Sequence, residues 1–81
     1  MSKVILITGC SSGIGAAMAR SFAARGHTVY ATARRPESLA PLAAAGIETL
    51  ALDVNDDTSI SAVMDTVSER EGRLDMLINN A

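Results

Sequence analysis

The stretch Ile5–Arg20, ILITGCSSGIGAAMAR, runs from an apolar segment directly into glycines and serines and then resumes in helix-forming residues. Val4–Ile7 is continuously apolar rather than alternating, the pattern of a strand covered on both faces in a parallel sheet. From Ile14, apolar or small residues recur at Ala17, Met18, Ser21 and Phe22, and this helical stripe closes with Arg25 and with Gly26 at a C′ position. Between strand and helix, Gly9, Gly13 and Gly15 follow the spacing G-x-x-x-G-x-G. A glycine at a strand end permits positive φ, and those beyond it let backbone N–H groups at a helix N-terminus come close to an anion. Ser11 and Ser12 add hydroxyls that suit a phosphate and that can also cap the helix. A pyrophosphate fits such a turn.

Outward from this unit the same alternation repeats. His27–Ala33, HTVYATA, is rich in β-branched and aromatic residues and is stopped by Pro36, which predicts a second strand. ESLAPLAAAG is Ala- and Leu-rich with Pro41 inside it, which predicts a short or kinked helix. Ile47–Leu52 reads as a third strand. A helix follows, with Asp56 as N-cap, Ile60, Val63, Met64 and Val67 on one face, and Gly72 at its end. Met76–Ile78 reads as a fourth strand before two asparagines. Met18, Met64 and Met76 are expected in the core and His27 at the surface. Strands bridged by crossover helices are parallel, and such crossovers are right-handed in about 98% of cases. With the first strand central, the predicted order is 3-2-1-4 with helices on both faces. Ligands bind at the switch point between strands one and four.

The chain has 81 residues, 48% of them hydrophobic and 20% charged, an ordinary globular composition for one small domain. A domain near this size buries only about 60 to 65% of its unfolded surface, so its core is marginal. The formal charge of −2, with no basic stripe beyond Arg34 and Arg35, argues against nucleic-acid and membrane-surface partners. The single cysteine, Cys10, cannot form an internal disulfide. The apolar run at Val4–Ile7 is shorter than the roughly 7 to 15 residues of a signal sequence, and no stretch approaches the about 20 needed to span a membrane. These features lead to the expectation of a soluble, cytoplasmic protein in a reducing compartment.

Two other phosphate loops are excluded by spacing. The pattern G-x-x-x-x-G-K-[ST] fails because Gly9 and Gly13 are one residue too close and Ile14 stands where lysine belongs. The plain G-x-G-x-x-G pattern also fails as written. TGCSSGIG (Thr8–Gly15), DV (Asp53, Val54) and NNA (Asn79–Ala81) resemble, in order, the T-G-x-x-x-G-x-G, D-V and N-N-A-G motifs of the short-chain dehydrogenase/reductase family.

The resemblance implies an α/β, three-layer, Rossmann-type half fold and a nicotinamide dinucleotide lying across the strand C-termini. Residues 1–81 would be the N-terminal part of one dinucleotide-binding domain, cut after the fourth strand. It also implies hydride transfer between nicotinamide and a carbonyl or alcohol substrate, in a full-length protein that forms homo-oligomers. The family's catalytic serine and Tyr-x-x-x-Lys pair lie beyond N-N-A-G. Tyr30 is followed four residues on by Arg34, so it is not that tyrosine, and no catalytic residue carries over. The 81 residues alone are expected to be inactive, and to expose the fourth strand as an apolar edge that pairs with other chains. A short non-catalytic dinucleotide-binding module, or an interaction or sensor protein that kept only the fold, stays open as an alternative.

By this resemblance cofactor binding falls on Gly9, Cys10, Ser11, Ser12, Gly13, Ile14 and Gly15, together with Arg34, Asp53, Val54 and Asn80; no metal site is implied. NAD-binding folds place an acid at the end of the second strand to bond the adenosine ribose. Here ATARRP has none: Ala33 takes that place and Arg34 follows. A guanidinium can pair with a 2′-phosphate, and charged hydrogen bonds of about 1.5 to 3 kcal/mol imply a ten- to hundredfold preference for NADP(H) over NAD(H). Arg34 and Arg35 read equally as a solvated pair ending a strand, and Ser12 stands where some NADP-preferring relatives carry a basic residue. Asp53 is placed to accept from the adenine amino group with the Val54 backbone against the ring, or else to cap the next helix. Asn80 is placed near the ribose, while Asn79 and Asn80 also tie strand ends together. Thr8 is expected to bridge the turn to a neighbouring strand. Cys10 is either a small residue beside the adenosine or a thiol of lowered pKa at a helix N-terminus.

Overall fold

Four parallel strands form one sheet in the order β3-β2-β1-β4, with β1 at Val4–Ile7, β2 at Thr28–Ala33, β3 at Glu48–Ala51 and β4 at Met76–Ile78. The computed structural model describes residues 2–11 and 13–80; Met1, Ser12 of the turn and Ala81 of the N-N-A run lie outside the described residues. Helix α1 covers Gly13–Ala24, a 3-10 turn covers Pro36–Leu39, α2 covers Ala40–Ala44 and α3 covers Asp57–Glu71. The expected sheet order is therefore observed. Among the described residues no helix is long and apolar enough to cross a membrane.

Successive side chains of a strand point to opposite faces, so the continuous apolar run of β1 feeds two cores at once. Ile5 and Ile7 join Val29, Ala31, Ala19, Leu39 and Leu42 on one face. Val4 and Leu6 join Tyr30, Leu52, Val63 and Val67 on the other. Ile5, Leu6 and Ile7 are essentially inaccessible to water, and complete burial of each such side chain contributes about 1.5 to 3 kcal/mol. Their registers place Ile7 beside both Ala31 and Ile78, so β1 and β4 end level while β2 runs on to Ala33 beside Ala51.

Local chemistry explains the helix boundaries. Asp56 caps α3, its Oδ1 accepting from Thr58 N–H at 2.9 Å and Ser59 N–H at 3.4 Å, and Gly72 closes it. Pro41 does not kink a longer helix. Pro36 and Pro41 each stand in the first turn of a separate segment, where the missing N–H has no intrahelical partner to lose. The second strand starts one residue later than expected, because His27 N–H turns back to Phe22 O at 3.2 Å. The His27 ring lies edge-on to Phe22 and its Nδ1 accepts from Lys3 N–H at 3.0 Å. Met18 and Met64 pack against the two cores as expected. Met76 does not: it is 37% exposed and Leu77 51%, because β4 is a sheet edge with only β1 beside it. Tyr30 is buried and donates from its hydroxyl to Glu71 Oε2 at 2.6 Å. Burial first, and the Glu71 carboxylate second, push that hydroxyl's pKa up.

A polar clasp fastens β1 to β4 at their amino ends. Asp75 Oδ2 accepts from Val4 N–H at 2.8 Å and from Arg73 Nε at 3.0 Å, and Arg73 Nη2 donates to Ser2 O at 2.9 Å. The Val4 N–H holds the Asp75 carboxyl below the usual carboxylate range; partial desolvation pushes the other way, and Arg73 and Lys3 add to the lowering. The folded carboxyl thus binds its proton more weakly than the unfolded one. Its contribution is complete above the unfolded value and is lost as pH falls below about 4. Asp75→Asn is expected to lower stability at neutral pH and to flatten the acid limb of the stability curve, read by urea denaturation across that range. The purified 81-residue chain is expected to associate through its β4 edge, and Leu77→Lys to shift it towards monomer on size exclusion. A monomeric chain unaffected by that substitution excludes an adhesive edge.

Candidate functional site

The carboxyl ends of β1, β2 and β3 open onto a cleft of about 440 Å³ lined by Thr8, Gly9, Ser11, Ala33, Arg34, Arg35, Ser38, Leu52 and Val54. The floor is set by the turn leaving β1, and that turn hangs on its neighbours. Thr8 N–H donates to Ile78 O at 3.0 Å, and Cys10 N–H donates to Thr32 O at 2.9 Å. Thr8 Oγ1 donates to Asn79 Oδ1 at 3.1 Å and accepts from Asn80 N–H at 2.9 Å, the bridge to a neighbouring strand expected of this residue. Asn80 Nδ2 donates to Gly9 O at 3.2 Å. On the other side, Thr32 Oγ1 donates to Ile7 O at 2.8 Å.

The glycines serve two different purposes. Gly13 has φ 64°, and a Cβ added there would meet no atom within 4 Å, so the backbone conformation alone requires glycine. Gly15 is a matter of space. A Cβ on it would run into the Gly9 carbonyl and lie 2.8 Å from Asn80 Nδ2, so its missing side chain is what lets α1 start against the end of β1.

Four of the eleven predicted residues share one cleft. Gly9, Ser11, Arg34 and Val54 line the cleft, and Ile14 projects at 71% exposure from the first turn of α1. Asn80 is committed through its amide to the Gly9 carbonyl. Asp53 is half-buried; its N–H donates to Ser59 Oγ at 2.9 Å and its Oδ1 accepts from Asn55 N–H at 3.0 Å. It therefore shapes its own loop while Asp56 caps the helix. Ser12 falls outside the described residues.

Of the two readings of Cys10, the structure speaks against the activated thiol. Its side chain is 1% exposed and packs in the core with Ile5, Ile7 and Ala19, its thiol donating towards Ile7 O at 3.4 Å. Burial raises the thiol pKa and the Thr32 backbone lowers it by less, which removes the activated-thiol alternative. The side chain sits beneath the turn, among core residues.

Ser38, Leu52 and Ser59 were not legible as site residues. The available signal for Ser38 was its place in a proline-started turn just beyond the two arginines. Among the described residues Arg34 and Arg35 form no ion pair, whereas Arg70 and Arg73 bind Glu48 and Asp75. Two unpaired cations beside a glycine turn suit a phosphorylated ligand. A smaller apolar cavity of about 150 Å³ lies next to the cleft, walled by Leu6, Ile60, Val63, Met64 and Leu77. Among the described residues no group of three or more His, Cys, Asp or Glu side chains is placed to hold a metal.

The chain belongs to the short chain dehydrogenase family, whose model matches residues 3–81. It is 51% identical over 80 residues to a short-chain dehydrogenase/reductase of Pestalotiopsis microspora, covering 98% of this chain and 28% of that protein. It is 48% identical over 81 residues to an NADPH-dependent 1-acyldihydroxyacetone phosphate reductase of Schizosaccharomyces pombe, covering 98% and 27%. A crystal structure of a short-chain dehydrogenase from Streptomyces avermitilis superposes with a TM-score of 0.94 at 48% identity, covering 100% of this chain and 31% of that one. The chain thus spans less than a third of the length of each relative.

The two glycines are separable by substitution. Gly13→Ala is expected to lose about 1 to 2 kcal/mol through left-handed strain, and Gly15→Ala about 1 to 3 kcal/mol through overpacking. Gly13→Asn recovers most of the loss, since asparagine tolerates that conformation, while Gly15→Asn worsens it. Urea unfolding midpoints read both series.

Proposed function

We propose that this chain forms the adenosine- and pyrophosphate-binding half of an NADP(H) site, in an oxidoreductase that moves hydride between nicotinamide and a small carbonyl or alcohol substrate. The observation that carries the cofactor choice is the acid-free end of β2, where Arg34 and Arg35 line the cleft without ion-pair partners among the described residues. An acid there would repel a 2′-phosphate; a guanidinium pairs with it through two parallel N–H···O bonds. The name of the S. pombe relative, an NADPH-dependent reductase, supports the same choice.

In this reading the turn around Gly9, Ser11 and Gly13 takes the pyrophosphate at the start of α1, with Ile14 beside it and Gly15 holding the helix close. Arg34 takes the 2′-phosphate. Asp53 and Val54 border the adenine, and Asn80, fixed to Gly9, stands by the ribose. The bound nicotinamide supplies or accepts the hydride. Tyr30, the chain's one tyrosine, is buried and bonded to Glu71, away from any role as acid or base. Substrate selection and the catalytic groups would come from further parts of a longer cytoplasmic, oligomeric protein, and the 81 residues alone would bind cofactor without turning it over.

Adenosine 2′,5′-bisphosphate and 5′-AMP probe this half directly, since they differ only at the 2′ position. The unsubstituted chain is expected to bind the bisphosphate more tightly by about ten- to a hundredfold. Arg34→Ala removes most of that difference and leaves AMP unchanged, by calorimetric titration. Equal losses for both ligands, or none, defeat the NADP(H) assignment.

A further inference from the structure

The geometry points to Ser38 as a positioning residue for cofactor choice, acting through Arg35. This rests on the reading of Arg34 as the 2′-phosphate ligand and extends it to Arg35 beside it on the same cleft wall. Ser38 lines the same cleft as Arg34 and Arg35, yet its hydroxyl does not face the cleft as a donor. Ser38 Oγ donates to Arg35 O at 2.6 Å, and Ser38 N–H donates to the same carbonyl at 3.0 Å. A serine hydroxyl has one proton, and this one is used. The lone pairs that remain have nothing to accept from a phosphate dianion. Ser38 therefore cannot improve phosphate binding by direct contact without giving up its short bond; what it does is fix the Arg35 peptide.

The rest of the turn is built to the same end. Pro36 has its φ fixed by its ring, and Leu39 is wholly buried in the core with Ala33 and Leu42. Arg35 is held extended, with φ −111° and ψ 105°, between the end of β2 and the turn. Two long exposed side chains consequently leave a short backbone segment pinned at both ends. Fewer arrangements have to be given up when an anion binds, which is the usual source of affinity through preorganisation. Because Ser38 N–H still satisfies the Arg35 carbonyl, deleting the hydroxyl leaves no orphaned group, and the fold survives the substitution.

The experiment measures adenosine 2′,5′-bisphosphate and 5′-AMP binding to the 81-residue chain carrying Ser38→Ala, Ser38→Thr, Arg35→Ala, and Ser38→Ala with Arg35→Ala, with circular dichroism as the check on folding. Ser38→Ala is expected to weaken the bisphosphate about three- to tenfold with AMP within about twofold of the unsubstituted chain. Ser38→Thr restores it, Arg35→Ala also weakens it, and adding Ser38→Ala to Arg35→Ala causes no further loss. A loss that persists in the Arg35→Ala background means direct contact and overturns the proposal. Equal losses for AMP mean a merely structural role and overturn it too. If Ser38→Ala has no effect while Arg34→Ala abolishes the 2′ preference, the positioning role fails and the NADP(H) reading stands. If neither arginine matters to the bisphosphate, both fall.

Discussion

The Thr8 hydroxyl is the point on which the cleft depends. It donates to Asn79 and accepts from the Asn80 N–H, joining residues 71 and 72 positions apart through one oxygen atom. A chain that leaves a buried strand through a turn must still satisfy its polar groups, because an unpaired buried donor or acceptor costs about 1 to 3 kcal/mol. Here the partners come from both flanks: Ile78, Asn79 and Asn80 on one side, Thr32 on the other. The positive φ at Gly9 is therefore held by the neighbouring strands. Glycine permits the turn, and the neighbours choose it.

Reading the chain alone succeeded wherever the signal was local. The continuous apolar run Val4–Ile7 announced a central strand, Asp56 announced a helix cap, and the spacing of elements gave the order in which the strands lie. Missing acid after β2 was equally local. What could not be read depends on which side of a strand or turn a group faces, and on contacts from far along the chain. Cys10 follows a glycine in a polar run, yet the turn directs it inwards. Met76 has the composition of a core residue but stands on a sheet edge. Gly15 read as a position that lets the backbone approach an anion, and the approach of the Gly9 carbonyl shows that its missing side chain is also a question of volume. The helix around Pro41 is short, as its composition suggested, but the separate turn that Pro36 opens before it was not legible.

Electrostatics divides the arginines by location. Arg70 and Arg73 are spent on the fold, bridging to Glu48 and Asp75. Arg34 and Arg35 are held at a cleft wall with no acid facing them among the described residues. Placing like charges side by side gains nothing for folding, and on a short extended segment neither can retreat far from the other. A site that concentrates positive charge in this way is at its most stable when an anion enters it.

The β1–β4 pair is fastened at its amino ends by Asp75 and at its carboxyl ends by Thr8. Those fasteners join opposite ends of the sequence, so they close among the largest loops the chain can form, and such loops are slow to close. An intermediate holding only β1, α1 and β2 has the turn's bonds to Thr32 but lacks the Asn80 bonds to the Gly9 carbonyl and the Thr8 hydroxyl. For this chain, docking the last strand also supplies the last bonds to the glycine turn.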